Sequence, residues 1–395
     1  MAGNTASGEE HKMTRKLFGF VSSAALGLAM FTGHAHAEIK IGIAHSLSGP
    51  AASQGLPQKQ AIELALPAEI GGEKVRIVVL DDATDPSVAA RNAKKLIDEE
   101  KVDVILGPTA TPSAIAMAQI AAAAGVPIMP GAPVSLRDAR DAWLFNVPPP
   151  PSKWIIPVAA DMKRRGIKTV GFLGFSDAWG DICLAALKEQ AEKLGIRITA
   201  EERYARADTS VTGQVLKLLA AKPDAIFLGV SGTAGVLGNI SVVERGYTGP
   251  IYNSNGIFNG DFLTLGGKPL EGIFGTIGAI AIPDSLAESE PRKAVVVDFL
   301  RKYDERYGKG KADAISGFGY DTGLIVSAAM AKALAYATPG TPEFRAAIAA
   351  EIRKLQRLPG THSIYNYSDP TWPWGVGDDA TFLVKVEKGK WVLAK

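Results

Sequence analysis

Beyond residue 37 the side chains able to carry acid–base, nucleophilic or metal chemistry are few: His45, His362, Cys183 and some carboxylate pairs. Two distant histidines and one thiol cannot build a zinc site of the ordinary ligand type, so no metal is expected. Cys183 has no partner for an internal disulfide. It shares one helical face with Leu187, Ala191 and Leu194, the pattern of a small buried apolar residue. The sequence contains no G-x-x-x-x-G-K-[ST] phosphate loop, no G-x-S-x-G elbow and no H-E-x-x-H pair. Gly229, Gly232 and Gly235 follow a strand pattern, but without the G-x-G start that lets backbone approach a pyrophosphate they read as a strand-to-helix turn. Asp81 and Asp82 sit at a strand end, where neighbouring side chains point to opposite faces. The chain therefore does not read as an enzyme: no catalytic residue and no cofactor is expected.

What remains is anion binding by backbone. After an apolar run at 102–106, the segment Gly107-Pro-Thr-Ala-Thr-Pro112 opens a helix that stops at Gly125. Thr111 suits the N-cap and Pro112 the first helical position. Ala110, Thr111 and the amides of Ser113 and Ala114 then stand at a helix N-terminus, which favours a carboxylate by roughly 0.3–2 kcal/mol, with charge-assisted hydrogen bonds in addition.

The elements that must hold this terminus follow a βα rhythm. Apolar runs at 39–44, 75–80, 102–106 and 126–129 alternate with amphipathic segments, as in a parallel sheet covered on both faces. Pro127 limits the fourth run to a strand start or an edge. One helix, after Asp85-Pro86, gathers Ala89, Ala93, Leu96 and Ile97 on one side. The run Val-Pro-Pro-Pro-Pro-Ser from Val147 breaks this series as a stiff extended segment. A second series follows, with strands at 169–173, 196–200, 225–230 and 251–253 and helices between them. Helical patterns at 292–307, 314–337 and 342–357 lack comparable strands between them, so they are expected to complete an earlier lobe. The last strands, 382–387 and 391–393, read as a hairpin. The fold class is α/β, with two doubly wound lobes sharing a crevice.

Residues 12–37 have the layout of a secretory signal: Arg15 and Lys16, an apolar run at 17–31, and Ala35-His36-Ala37 as an A-x-A cleavage site. The apolar run is shorter than the roughly 20 residues of a spanning helix. The expected mature chain is soluble and periplasmic, cut after Ala37, and residues 1–11 are set aside with the signal. Past residue 37 the whole chain's 43 basic and 41 acidic residues fall to 40 and 39. That balance gives no electrostatic footprint for nucleic acid or an anionic membrane. About 358 residues also exceed what one core usually supports.

Together, Ile41-Gly-Ile-Ala-His-Ser-Leu-Ser-Gly-Pro50, Leu80-Asp-Asp-Ala-Thr-Asp-Pro86, Gly107-Pro108, Phe175-Ser-Asp-Ala-Trp-Gly180, Asp208-Thr-Ser-Val-Thr-Gly213 and Tyr320-Asp321 resemble the type I periplasmic solute-binding proteins of ABC importers. The resemblance is to the branch that includes branched-chain amino acid binders and their aromatic-carboxylate relatives. It implies two lobes joined by three crossovers, closing over a small ligand that is handed to an inner-membrane ABC permease, with the protein working as a monomer. The implied lobes are 38–146 with 279–358, and 147–278 with 359–395.

The same resemblance implies the site. Ala110 and Thr111 match the loop that holds the ligand carboxylate, and Ser46, Ser48 and Gln54 match a pocket wall. Ala132 follows the fourth strand, with Pro133 where amino-acid binders carry a threonine. Asp177 and Trp179 match an aromatic cover from lobe two; Ser231, Gly232, Gly256, Phe258 and Tyr320 complete the set. Amino-acid binders of this branch place a glutamate near Gly256 to meet the ammonium, and this chain has no acid between Asn253 and Asn259. Burying an unpaired ammonium costs several kcal/mol. Unless Asp177 or Asp321 substitutes, the expected ligand is a small apolar carboxylate without an α-amino group, an aromatic acid fitting best against Trp179 and Phe258. The alternatives are a branched-chain or other hydrophobic amino acid as ligand, a ligand sensor for a membrane receptor, and a secreted hydrolase, for which His45 and His362 are the available bases.

Overall fold

The computed structural model describes residues 37–369, 372–377 and 380–394. The expected signal segment lies outside the described residues apart from Ala37. Among the described residues no helix is long and apolar enough to cross a membrane.

The first βα series forms β1 (Ile39–His45), α1 (Ala52–Ala65), β2 (Glu69–Ile70), β3 (Glu73–Asp81), α2 (Pro86–Lys94), β4 (Val104–Leu106), α3 (Thr111–Ala123) and β5 (Ile128–Met129). Its sheet runs β2-β3-β1-β4-β5, parallel except for the short β2–β3 hairpin. β5 is an edge strand that begins just after Pro127, which fits a residue with no ladder N–H to give. One face is sealed by α2, the π-helical turn Lys95–Glu99 that continues it, and α3, through Ala89, Leu96, Met117 and Ala121.

The second series forms α4 (Pro151–Arg164), β6 (Thr169–Phe175), α5 (Ala178–Leu194), β7 (Arg197–Tyr204), α6 (Thr212–Ala220), β8 (Ala225–Gly229), α7 (Val236–Glu244), β9 (Ile251–Asn253), α8 (Gly260–Gly266) and β10 (Phe274–Ile277). The proline run is extended only to Pro150; Pro151 opens α4, because at the first helical position its missing N–H has no partner to lose. Three helices follow, α9 (Pro291–Tyr307), α10 (Ala314–Ala333) and α11 (Pro342–Lys354), then a two-stranded clasp, β11 (Leu358–Pro359) with β12 (Ile364–Tyr365). A hairpin of β13 (Phe382–Glu387) and β14 (Lys390–Leu393) turns through Lys388 and Gly389, both at positive φ. The second sheet is ordered β14-β13-β10-β9-β8-β6-β7, parallel from β7 to β10 and antiparallel in the hairpin.

The chain thus passes between the sheets three times: after β5, after β10, and before β13. α10 lies along α1 and α11, and together they cover the other face of the first sheet. Gly319 lets α10 come so close that a Cβ there would stand 2.3 Å from the Gln58 carbonyl. Tyr303 and Tyr307 of α9 donate to Gln60 of α1, at 2.7 and 3.2 Å. Of residues 359–395, Tyr365, Tyr367 and Trp374 join the core of the first sheet, while the final hairpin extends the second. Cys183 is fully buried in the second core, and burial pushes its thiol well up.

Candidate functional site

The carboxyl ends of β1, β4 and β5 face those of β6, β8 and β9 across the cleft, the place where open α/β sheets hold ligands. A cavity lies there. From the first lobe its wall includes Gln54, Thr109, Ala110, Thr111 and Ala132; from the second, Trp179, Ser231 and Gly256. Of the residues named from sequence, Gln54, Ala110, Thr111, Ala132, Trp179, Ser231 and Gly256 are brought together on this wall.

The N-terminus of α3 starts one residue earlier than its sequence pattern suggests. Ala110, extended at φ −86° and ψ 137°, is the N-cap; Thr111 is already helical and its hydroxyl caps nothing. Ala114 N–H bonds to Ala110 O at 2.8 Å, so the free amides of this turn are those of Thr111 and Ser113, not Ala114. The Thr111 hydroxyl is buried with no protein hydrogen-bond partner. Two more buried polar atoms on the wall share that condition: Gln58 Oε1, whose amide donates to Gly131 O at 3.1 Å, and Trp179 Nε1. Beneath this turn the Thr109 hydroxyl lies 2.8 Å from His45 Nδ1 and accepts from Ser46 N–H at 3.3 Å. Burial holds the His45 imidazole down at about 3, so it is neutral and not poised as a base. His362 is likewise pushed down to about 3 by burial.

On the facing side Asp177 caps α5, its Oδ1 accepting from the N–H groups of Trp179 and Gly180 at 2.9 and 3.2 Å. Its Oδ2 holds Arg206 Nε at 2.6 Å, and Arg206 Nη1 donates to Ser231 Oγ at 2.8 Å. The guanidinium lies 4.2 Å above the Phe175 ring. Arg206 lines the cavity, whereas Asp177 stands behind it. No aspartate or glutamate is among the described residues on this wall, and Arg206 is its one ionised side chain. The lobes touch directly: Gln54 Nε2 donates to Gly256 O at 3.0 Å, and Thr233 N–H to Ser53 Oγ at 3.3 Å.

Other expected residues lie elsewhere. Ser46 is buried below the wall, its hydroxyl toward Asp82. Ser48 turns outward to Asp81, Oγ to Oδ2 at 2.6 Å. Gly232 sits at the lobe contact rather than on the wall. Phe258 packs against Trp391, ring centres 4.4 Å apart, and not on the cavity. Tyr320 points to Phe299 and Lys302. It lies two residues past Phe318, about 200° around the helix, and Phe318 is the side chain that reaches the cavity. Asp321 is equally remote: it accepts from Thr361 N, His362 N and Tyr365 Oη at 2.6, 3.2 and 2.8 Å, fastening the third crossover.

Sequence reasoning missed Gln58, Thr109, Pro148, Arg206, Asn255, Ile315 and Phe318. Gln58 follows Gln54 by one turn of α1, and Ile315 and Phe318 are three apart on α10; recognising these two helix faces would have found them. Arg206 carries no local signal.

A family model described as periplasmic binding protein matches residues 38–390, and the chain belongs to that family. A crystal structure of an extracellular ligand-binding receptor from Rhodopseudomonas palustris HaA2 is 39% identical, with TM-score 0.87, covering 91% of this chain and all of that one. An amino acid binding protein of Pseudomonas aeruginosa is 26% identical over 71% of this chain and 79% of its own length. A solute binding protein of R. palustris solved in complex with benzoate shares the fold, with TM-score 0.74 at 18% identity over 90% and 95% of the two chains. Leu/Ile/Val-binding homologues are also among the relatives, and the chain is a type I periplasmic binding protein of the branched-chain amino acid branch. This class works from the periplasm, binds small molecules for ABC transporter permeases, and is not enzymatic.

Proposed function

We propose that the protein binds a small apolar carboxylate lacking an α-amino group, most simply an aromatic acid, by hinge closure, and hands it to an ABC permease of the branched-chain amino acid type. In this reading it is exported by the 12–37 segment, cut after Ala37, and acts as a monomer. The lobes are 38–146 with 279–358, and 147–278 with 359–395, except that Tyr365, Tyr367 and Trp374 pack with the first sheet.

The observation that carries this reading is the charge of the wall. An ammonium would meet no carboxylate there, since Asp177 is turned to Arg206 and Asp321 to the third crossover. A carboxylate has the idle Thr111 hydroxyl and Arg206 on the same cavity wall, at the helix turn whose Thr111 and Ser113 amides are free. Trp179, Phe318, Pro133 and Ile315 supply flat or apolar walls for a ring.

A thermal-shift panel of benzoates, phenylpropanoids, hydroxy acids and amino acids tests this, with calorimetry on the hits. Stabilisation by des-amino acids supports the reading. Stabilisation by leucine or phenylalanine, and by none of their des-amino counterparts, reverses it in favour of an amino acid.

A further inference from the structure

Among the described residues Arg206 and Asp177 form the one ion pair that touches the cavity wall, and they are stacked in a definite order. The guanidinium is on the wall, whereas the carboxylate, although the more exposed of the two side chains at 20% against 10%, is not among the residues that line it. Every contact of the pair fixes that order. Asp177 Oδ1 is committed to the first turn of α5, which holds the carboxylate in place. Oδ2 has Arg206 Nε as its partner at 2.6 Å. Arg206 is held by Ser231 at one Nη and by the Phe175 ring beneath, while its Nη2 has no hydrogen-bond partner among the described residues.

We propose that Arg206 masks Asp177 and so decides which charge class the cavity admits: the guanidinium repels an ammonium and attracts anions or acceptors, and without it the Asp177 carboxylate would receive the ammonium of an amino acid. The proposal rests on the des-amino reading above and names the residues that enforce it. The physical ground is that like charges in a covered site cost more than in water, whereas a half-buried carboxylate stripped of its cation recruits another. The site would thus be one side chain away from amino-acid binding, with the acid already built in behind the mask.

The test uses ligand pairs that differ by the ammonium alone: 4-methylpentanoate against leucine, and 3-phenylpropanoate against phenylalanine. Dissociation constants are measured by calorimetry for the wild type, Arg206→Gln, Asp177→Asn and the double variant. Arg206→Gln should shift the ratio of the two constants by about tenfold or more toward the amino acid. Asp177→Asn keeps an N-cap and should shift the ratio the opposite way, and the double variant should lose the gain. An unchanged ratio in Arg206→Gln, with a normal melting curve, overturns the proposal. If Arg206→Gln does not fold, an unchanged ratio in Asp177→Asn overturns it equally. A wild type that already prefers the amino acids defeats the ligand reading itself, a different outcome from an unmoved variant.

Discussion

Replacing Thr111 by valine separates a ligand contact from a structural one, because the two roles predict opposite signs in different assays. The Thr111 side chain is 2% exposed, and its hydroxyl neither caps α3 nor finds any protein acceptor. A buried hydroxyl without a partner costs about 1–3 kcal/mol, so trading it for a methyl group should leave the ligand-free protein as stable or up to about 2 kcal/mol more stable. At about 2–4 °C per kcal/mol for domains of this size, Tm should stay level or rise by several degrees. Affinity should move the other way. A hydrogen bond to a charged carboxylate contributes about 1.5–3 kcal/mol, so the dissociation constant should rise about 10- to 150-fold. Thermal melts without ligand and calorimetry with the best aromatic acid from the panel read the two quantities separately. A lower Tm with unchanged affinity would refute the reasoning, since it would make Thr111 a stabilising group that the ligand never meets.

Three further perturbations probe other parts of the site. Trp179→Phe removes the partnerless indole N–H, so affinity should fall by about 2- to 12-fold; most of the ligand-induced change in tryptophan emission should vanish, and its survival would assign that signal to another indole. Gly232→Ala puts a side chain on φ +60°, with a Cβ 3.1 Å from Gln54 Oε1 and 3.2 Å from Ser53 Oγ of the facing lobe. With ψ at −166° this is backbone that only glycine adopts readily, so stability should drop by about 1–3 kcal/mol and all ligands should weaken by less than about tenfold with their ranking kept; a changed ranking in calorimetry would mean that residue 232 touches ligand. For Asp321, burial pushes the carboxyl from its ordinary 3.8 up to about 7. A group raised on folding contributes stability at low pH that is lost as pH climbs through the folded value. The stability deficit of Asp321→Asn in urea melts should therefore be widest near about pH 4 and narrow toward about pH 7; a deficit that grows with pH contradicts this, and the two neutral histidines cancel because both proteins carry them.

The sheets were legible because both are built from short apolar strands separated by helices with strong termini, as at Asp85-Pro86 and Asp177. α1 was not, since its polar residues Gln54, Gln58 and Gln60 face protein rather than solvent, which erases the amphipathic pattern. α4 was hidden for another reason: a run of four prolines reads as a break, although the last of them is a good first residue of a helix. Phe258 and Tyr320 were placed on the cavity by motif position alone; Phe258, in the loop between β9 and α8, turns to Trp391, and Tyr320 lies about 200° around α10 from Phe318.

The charge logic of the site lies further from the sequence than any of these. The missing acid near Gly256 is a local fact, visible in a few residues. Whether another acid replaces it depends on where Asp177 and Asp321 point, and each is spoken for by a partner distant in sequence: Arg206 two residues past β7, and the backbone of Thr361 and His362. Neither pairing leaves a spacing rule behind, because β6 and β7 are brought side by side by the sheet and not by the chain. Absence of an acid could be read from residues 253–259; absence of an available acid required the fold. It is the second absence that makes a cavity of uncharged walls, one cation and idle hydrogen-bond donors a poor host for an ammonium and a good one for an anion.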